Sequence, residues 1–178
     1  IGSCRVSTIN LARIAYESKL NKKKYLSILA DRVTLDCKAL YSMRHILKRN
    51  IEKGLLPNYQ EGAVELEKQY CTIGILGLYE VMDMFGLINT DPFGNKSYSN
   101  EAVEFAKDIF RVINDIKDNF TKEFTFNCES IPAENCAGVL ATANNLLYED
   151  DRYYILSNQW IPLREKCTIE EKCRLSSI

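Results

Sequence analysis

Apolar positions recur along the chain with two periods, that of a β-strand and that of an α-helix, and the first 54 residues show both. Residues 4–10 carry β-branched side chains in alternation with polar ones and predict a strand, and residues 11–19 turn helical. A long helix is predicted from residue 22 to residue 53, with Asn21 as its cap and Gly54 as its stop. Its apolar positions recur at spacings of three, four and seven residues: Leu26, Leu29, Val33, Leu40, Met43, Leu47 and Ile51.

The middle of the chain continues the same alternation of strand and helix. Residues 70–78 are almost wholly apolar, are interrupted by Gly74 and Gly77, and predict a buried strand that ends in a turn. A helix over residues 79–85 follows, and Gly86 closes it. Residues 55–61 and 89–100 are rich in turn-forming residues and predict loops. Ser99 or Asn100 caps a further amphipathic helix that extends to about residue 120.

The stretch from residue 124 to residue 138 is the most informative part of the sequence. It opens as a short alternating strand, breaks at Ile131-Pro132, and continues as a helix over residues 133–148. A strand that ends at a helix N-terminus leaves backbone N–H groups without partners, which suits an anion. The small residues Ala133, Ala137 and Gly138 allow a ligand to approach the backbone, whereas the carboxylate of Glu134 also suits a simple interaction with the helix dipole.

The remaining residues predict a last strand and a terminal helix. Tyr153 to Leu156 are apolar and follow a charged turn, so we expect a strand there, and Thr168 with Glu171 forms a capping-box pattern. Strands that alternate with helices in this way predict an α/β fold with a largely parallel sheet.

The amino-acid composition limits the classes of function that the chain can have. The 178 residues contain 46% hydrophobic and 26% charged residues, and the net charge is −1. This balance is typical of a globular domain and gives no electrostatic argument for nucleic acid or for an anionic membrane surface. The seven cysteines include no C-x-x-C pair and the chain has one histidine, His45, which we expect at the surface. We therefore expect no zinc site in this segment, no disulfide bonds and a reducing cytoplasm.

Both ends of the sequence predict a segment of a longer protein. The chain starts with Ile1, almost directly in a strand, and it ends inside a helical pattern. We expect residues 1–178 to form one segment of a single catalytic domain, cut at both ends.

Four motifs in series resemble the anaerobic, class III ribonucleoside-triphosphate reductases. Gly2-Ser-Cys-Arg-Val-Ser-Thr-Ile-Asn-Leu-Ala-Arg-Ile14 is similar to their strand-to-helix segment, and Thr72-Ile-Gly-Ile-Leu-Gly-Leu78 to their Gly-rich strand. Pro132-Ala-Glu-Asn135 resembles a Pro-Ala-Glu-Ser turn in which Asn replaces Ser. Tyr154 to Pro162 resembles the strand that follows, with an Asn at position 158.

The resemblance implies a part of the ten-stranded α/β barrel of glycyl radical enzymes and ribonucleotide reductases. Such enzymes reduce ribonucleoside triphosphates to deoxyribonucleotides, with formate or a thiol system as reductant and with ATP and dNTP effectors. A radical-SAM activating enzyme generates the glycyl radical near the C-terminus, where a zinc site is also expected, and the full-length protein is expected to be a homodimer. The cysteine that relays the radical is expected just before Ile1, and Cys4 fits that role poorly because it lies on the following strand.

The resemblance also assigns candidate site residues. Glu134 is the candidate catalytic residue, because loss of the ribose 2′-hydroxyl requires proton transfer. The candidate substrate-binding residues are Pro132, Ala133, Asn135, Cys136, Ala137 and Asn158, with phosphate oxygens expected on the N–H groups of Asn135, Cys136 and Ala137. Other interpretations remain open: Glu134 as a first-turn helix charge, an inactive nucleotide-binding or scaffolding module, or a segment of another glycyl radical enzyme.

Overall fold

A three-stranded parallel sheet forms the centre of the molecule. The structure is a computed structural model that describes residues 2–178. The strands of this sheet are β1 (Gly2–Asn10), β2 (Gln69–Leu76) and β5 (Phe126–Ser130), in the order β1-β2-β5. A separate antiparallel hairpin consists of β3 (Ile88–Thr90) and β4 (Lys96–Tyr98). The helices are α1 (Leu11–Ser18), α2 (Lys22–Glu52), α3 (Pro57–Gln60), α4 (Leu78–Met84), α5 (Asn100–Phe120), α6 (Glu134–Tyr148) and α7 (Ile169–Ser176).

Helices cover one face of the sheet and enclose the core. The chain passes from β1 to β2 through α1, α2 and α3, and from β2 to β5 through α4, the hairpin and α5. Because each crossover joins parallel neighbours, the predicted α/β arrangement with a parallel sheet is confirmed. The core joins β2 to the helices through side chains that are almost completely buried: Leu11, Ile14, Leu29, Leu40, Ile73, Ile75, Ile109 and Ile113.

The predicted caps are confirmed and explain where the helices begin. The side chains of Asn21, Ser99 and Thr168 each accept a hydrogen bond from the backbone N–H three residues later. Gly77 has a φ of 92° and ends β2 in the left-handed region, as the predicted strand-turn requires.

The buried stripe of α2 differs in part from the predicted one. Leu29, Val33, Leu40 and Leu47 are buried as expected, but Met43 is 43% exposed. The buried face also includes three residues that the stripe omitted: Tyr25, Cys37 and Arg44. His45 is exposed, in agreement with the expected surface position.

The strand predicted over residues 153–156 is wrong. This segment is irregular and docks on other elements through single backbone bonds, such as Leu156 N–H to Ala137 O at 3.3 Å. The docking buries two of its side chains, since Tyr153 and Leu156 are 8% and 3% exposed, whereas Tyr154 is exposed. Two predicted loops also contain short elements, namely α3 and the β3–β4 hairpin.

Candidate functional site at the carboxyl edge of the sheet

The carboxyl ends of the three parallel strands meet at one edge of the sheet. β1 ends at Asn10, β2 at Leu76 and β5 at Ser130. Ligands of parallel α/β sheets gather at this edge, because the turns that leave the strands converge there. The segments predicted to bind substrate follow β5 or dock beside it, and they therefore lie at this edge.

The face of the sheet opposite the helices carries a row of polar side chains. Thr72 Oγ1 donates to Asn127 Oδ1 at 2.5 Å, and Asn127 Nδ2 donates to Glu129 Oε1 at 2.6 Å. Ser3 is hydrogen-bonded to Thr72 across β1 and β2. Cys71, next to Thr72, points the other way toward the Leu40 carbonyl of α2, as the alternation of a strand requires. One face of the sheet is therefore apolar and packed, and the other is polar.

The turn from β5 into α6 presents unpartnered backbone N–H groups. Ala133 is the N-cap residue of α6 and supplies no side-chain hydrogen bond. Among the described residues, the N–H groups of Glu134, Asn135 and Cys136 have no acceptor, whereas Ala137 N–H donates to Ala133 O at 2.8 Å. The available donors therefore differ by one residue from the predicted set, because the first intrahelical bond already uses the Ala137 amide. Pro132 precedes the N-cap instead of lying in the first turn.

The side chains of this turn differ in exposure. Glu134 and Asn135 are exposed, Cys136 is half-buried, and Ala137 is buried under the segment that carries Leu156. The Glu134 carboxylate stands at the positive end of the α6 dipole, where a negative charge is favourable. The geometry therefore suits either an anion at the amides or a simple helix-end charge.

Gly74 fixes the path of the chain just before the turn. A Cβ atom at Gly74 would lie 2.5 Å from Ile131 Cγ1 and 2.9 Å from Thr8 Oγ1. Glycine thus allows Ile131 to lie directly over β2, which sets where Pro132 and α6 begin.

Asn158 lies in a loop that is tied to the end of β2. Ser157 O accepts a hydrogen bond from Gly77 N–H at 2.8 Å, and Ser157 N–H donates to both carboxylate oxygens of Glu80 at 3.1 Å. Because Leu156 N–H also bonds to Ala137 O, the Asn158 loop and the first turn of α6 lie at the same edge. Asn158 itself is half-buried, and no hydrogen bond among the described residues joins it to Glu134.

Glu80 is a buried carboxylate that holds this loop. Its side chain is 0% exposed and accepts a hydrogen bond from Arg164 Nη2 at 2.8 Å. Burial raises the pKa of Glu80, while Arg164 and the Ser157 N–H group act in the opposite direction. Glu80 was not among the predicted site residues, although one acid within the apolar run Leu-Tyr-Glu-Val-Met was a visible signal.

A second polar cluster at the edge was also missed. Asn10 Nδ2 and Arg13 Nε both donate to Asn144 Oδ1 at 3.1 Å, and Asn144 is 2% exposed. This cluster joins the end of β1 to the middle of α6. Its sequence signal was a polar residue within the apolar stretch of α6, a pattern that identifies no partner by itself.

One cavity lies at the other end of the sheet. Its volume is about 520 Å³, and its lining includes Arg44, His45, Lys48 and Phe124, near the starts of β2 and β5. A second cavity, of about 360 Å³, runs along β1 and includes Asn10 and Arg13. The convergence of turns at the carboxyl edge, rather than cavity size, therefore locates the candidate site.

Two absences within residues 2–178 bear on ligands and membranes. No group of three or more His, Cys, Asp and Glu side chains in this range is arranged to hold a metal ion. None of the helices in the same range combines the length and the apolar character that crossing a membrane requires.

Comparisons with known proteins give a consistent result. A family model described as anaerobic ribonucleoside-triphosphate reductase matches residues 1–177. The solved anaerobic ribonucleotide reductase from Thermotoga maritima with citrate in the active site is 40% identical, with a TM-score of 0.94 over 99% of this chain and 32% of that chain. The same enzyme in complex with dATP and CTP is 39% identical, with a TM-score of 0.94 over 99% of this chain and 30% of that chain. The chain thus spans about a third of the length of these relatives. No protein with a curated description matches it.

Proposed function

Because the chain belongs to the anaerobic ribonucleoside-triphosphate reductase family, we propose that it is part of an enzyme that reduces ribonucleoside triphosphates to deoxyribonucleotides by glycyl and thiyl radical chemistry. The observation that carries the proposal is the family match over residues 1–177. The match favours this activity over an inactive scaffolding module and over another glycyl radical enzyme.

The chain would then be one segment of a ten-stranded α/β barrel, within a single catalytic domain. Each outer strand of the parallel sheet, β1 and β5, has one partner among the described residues and one free edge. Further strands of the barrel would pair with these edges, since an unpaired edge is a template for strand addition. The polar face with Thr72, Asn127 and Glu129 would then line the inside of the barrel.

The substrate triphosphate would bind at the first turn of α6. The free N–H groups of Glu134, Asn135 and Cys136 and the positive end of the helix dipole favour phosphate oxygens there. Pro132 fixes the direction of the chain, and the small Ala133 leaves room for the ligand, whereas Ala137 is buried under the segment that carries Leu156. In a separate loop at the same edge, the carboxamide of Asn158 would donate to substrate oxygens.

Glu134 would act on the ribose as a proton-transfer group. Loss of the 2′-hydroxyl as water requires a proton at that oxygen, and a carboxyl group within hydrogen-bond reach can deliver it and recover one from the adjacent 3′-hydroxyl. Exclusion of water by the completed barrel would strengthen these interactions.

The whole protein would require groups that this segment does not supply. When present, the glycyl radical supplies the unpaired electron that begins the reaction. Formate or a thiol system would be the reductant, ATP and dNTPs the effectors, and a radical-SAM enzyme the activating partner. A zinc site would belong to another part of the protein, because residues 2–178 hold no such cluster. We expect a cytoplasmic homodimer.

Glu134→Gln in the full-length protein tests the proposed role. The change keeps the size of the side chain and removes its charge. Loss of a proton-transfer group slows turnover by roughly 10²–10⁴-fold. Loss of a helix-dipole interaction alone costs only about 0.3–1 kcal/mol of stability. Nucleotide reduction, thermal unfolding and glycyl radical content by EPR are measured on the same sample.

Glu170→Gln is the matched control, because Glu170 is an exposed acid in the first turn of α7. We expect it to change stability as little as Glu134→Gln does and to leave turnover unchanged. Near-normal turnover of the Glu134 variant with intact radical would refute the catalytic role and leave Glu134 as a helix-end charge.

A further inference from the structure

Two cysteines from neighbouring strands lie in contact at the end of the sheet away from the candidate site. Cys4 Sγ and Cys71 Sγ are 3.7 Å apart, and both are free thiols. Residues 3 and 5 of β1 pair with residues 70 and 71 of β2, so Cys4 is the extra residue of a bulge. A bulge re-aims its side chain, and here it turns Cys4 toward Cys71.

A buried arginine completes the arrangement. Arg44 Nη1 lies 3.5 Å from Cys4 Sγ and also donates to Gln69 O at 2.9 Å, while Nη2 donates to Leu66 O at 2.7 Å. Its guanidinium group stacks on Phe124 at 4.5 Å. The cation is therefore held in place by groups that do not neutralise it, and its remaining interaction is with the sulfur.

The surroundings shift the pKa values of the two thiols in opposite directions. The hydrogen bond from Cys71 and the charge of Arg44 lower the pKa of Cys4 to about 6, and a backbone hydrogen bond from Arg5 acts in the same direction. The pKa of Cys71 is raised by its bond to Cys4 and by burial. Tyr59 also faces the pair, and burial and the Cys4 charge raise its pKa. These opposite shifts favour a Cys4 thiolate beside a Cys71 thiol.

We propose that Cys4 and Cys71 form a redox-active dithiol, in which Cys4 reacts with hydroperoxides and Cys71 resolves the product to an interstrand disulfide. Cys4 is half-buried and reaches solvent, whereas Cys71 is completely buried beside it. Reactive cysteines occur in such partly exposed, electropositive surroundings. Neighbouring strands lie about 4.8 Å apart, which is within the Cα separation that a disulfide spans. The reactivity of this pair does not depend on the proposed activity of the enzyme.

The chemistry balances with a hydroperoxide as the only oxidant. The Cys4 thiolate attacks the distal oxygen, the O–O bond breaks, and an alkoxide or hydroxide leaves and takes a proton from water, giving a sulfenic acid. The Cys71 sulfur then attacks the Cys4 sulfur, its proton goes to the leaving hydroxyl, and one water is released. The protein loses two electrons and the hydroperoxide gains them. Two equivalents of a small thiol reverse the bridge by exchange.

The test is peptide mapping of the full-length protein, prepared without oxygen and treated with stoichiometric hydrogen peroxide. We expect a Cys4–Cys71 linked peptide that dithiothreitol removes. Cys71→Ser should give sulfenic acid at Cys4 that dimedone traps, and Cys4→Ser should abolish the link. Cys173→Ser is the matched control, because Cys173 is the exposed cysteine and lies on α7. It should leave the link unchanged.

The pH profile of alkylation separates this role from simple packing. Cys4 should alkylate with an inflection near pH 6, and Arg44→Gln and Cys71→Ala should each move it upward by about one pH unit or more. Arg44→Lys keeps the positive charge and should therefore keep most of the downward shift of the Cys4 inflection. Circular dichroism shows whether each variant folds. Oxidation that occurs first at Cys173, or a wild-type inflection near pH 8.5, would overturn the proposal.

Discussion

The Glu80 carboxylate shows how a single buried residue can position a functional loop. It is completely buried, yet it accepts hydrogen bonds from the backbone of Ser157 and from Arg164. A buried charge is retained at low cost only when such partners satisfy it. Since Asn158 follows Ser157 directly, Glu80 positions the candidate substrate-binding residue through the backbone.

The raised pKa of Glu80 predicts a pH-dependent contribution to stability. In the unfolded state the pKa of the Glu80 carboxyl group is about 4.5, and in the folded state it is higher. The folded state therefore favours the protonated carboxyl group more than the unfolded state does. This contribution is therefore fully present below about pH 4.5 and is lost as the pH rises through the folded-state value. Relative to Glu80→Gln, the wild-type free energy of unfolding should fall over that window, by about 1.4 kcal/mol for each pH unit that separates the folded and unfolded pKa values.

Urea unfolding from pH 4 to pH 8 measures this difference. Glu170→Gln provides the control, since its carboxyl group is exposed on α7. If the stability of the wild type relative to Glu80→Gln rose with pH instead, the pairing with Arg164 would outweigh burial.

The α6 helix is the element that carries most of the candidate site. It begins without a side-chain cap, although α1, α2, α5 and α7 each have one. An uncapped N-terminus leaves donors for something other than the chain itself. Asn144 and Ala137 hold the helix against β1 and the Asn158 loop, so the free amides have a fixed position.

Capping α6 should stabilise the helix and weaken substrate binding. We expect Ala133→Asp to raise the free energy of unfolding by about 0.5–2 kcal/mol, because its side chain would satisfy an N–H group of the first turn. The same carboxylate would compete with phosphate, so the apparent Kd for nucleoside triphosphate should rise. Thermal unfolding and equilibrium nucleotide binding in the full-length protein measure the two effects.

Ala133→Ser distinguishes two effects on nucleotide binding: occupation of the first-turn N–H groups by the capping side chain, and charge repulsion between that side chain and phosphate. Serine can cap the helix without adding a charge, and we expect a smaller rise in Kd. Unchanged affinity in both variants would show that phosphate does not use these amides.

At the scale of the whole molecule, the sheet has two free edges and α6 has an exposed apolar surface. β1 and β5 each pair only with β2 among the described residues. Val139, Leu146 and Leu147 of α6 are 68%, 80% and 63% exposed. Unpaired edges and clustered apolar side chains are sites where another chain segment packs.

The isolated 178-residue chain should therefore bind a hydrophobic dye and self-associate. Replacing both Leu146 and Leu147 by Lys should reduce dye fluorescence and the associated fraction in analytical ultracentrifugation. Phe93→Lys is the control, because Phe93 is 76% exposed but lies between β3 and β4 and not on α6. A monomeric chain that unfolds cooperatively and binds no dye would contradict this prediction.

The sequence by itself determined the order of the three sheet strands and of most helices, although it omitted α3 and the β3–β4 hairpin and wrongly predicted a strand over residues 153–156. The helices and the caps at Asn21, Ser99 and Thr168 depend on hydrogen bonds within a few residues, so local patterns encode them. The strands show in the alternation of their side chains, and the turn at Gly77 shows in the glycine that its positive φ favours. The four motifs in series also indicated the family that the comparisons confirmed.

Only the tertiary structure decided which distant side chains meet. Residues 153–156 have the composition of a strand, but they dock on α6 instead of pairing with a strand, and the next residue, Ser157, bonds to Gly77 at the end of β2. Glu80 with Arg164, Asn10 with Asn144, and Cys4 with Cys71 are 84, 134 and 67 residues apart. Periodicity gives the face on which a side chain lies, whereas strand order, register and the bulge at Cys4 determine what it contacts.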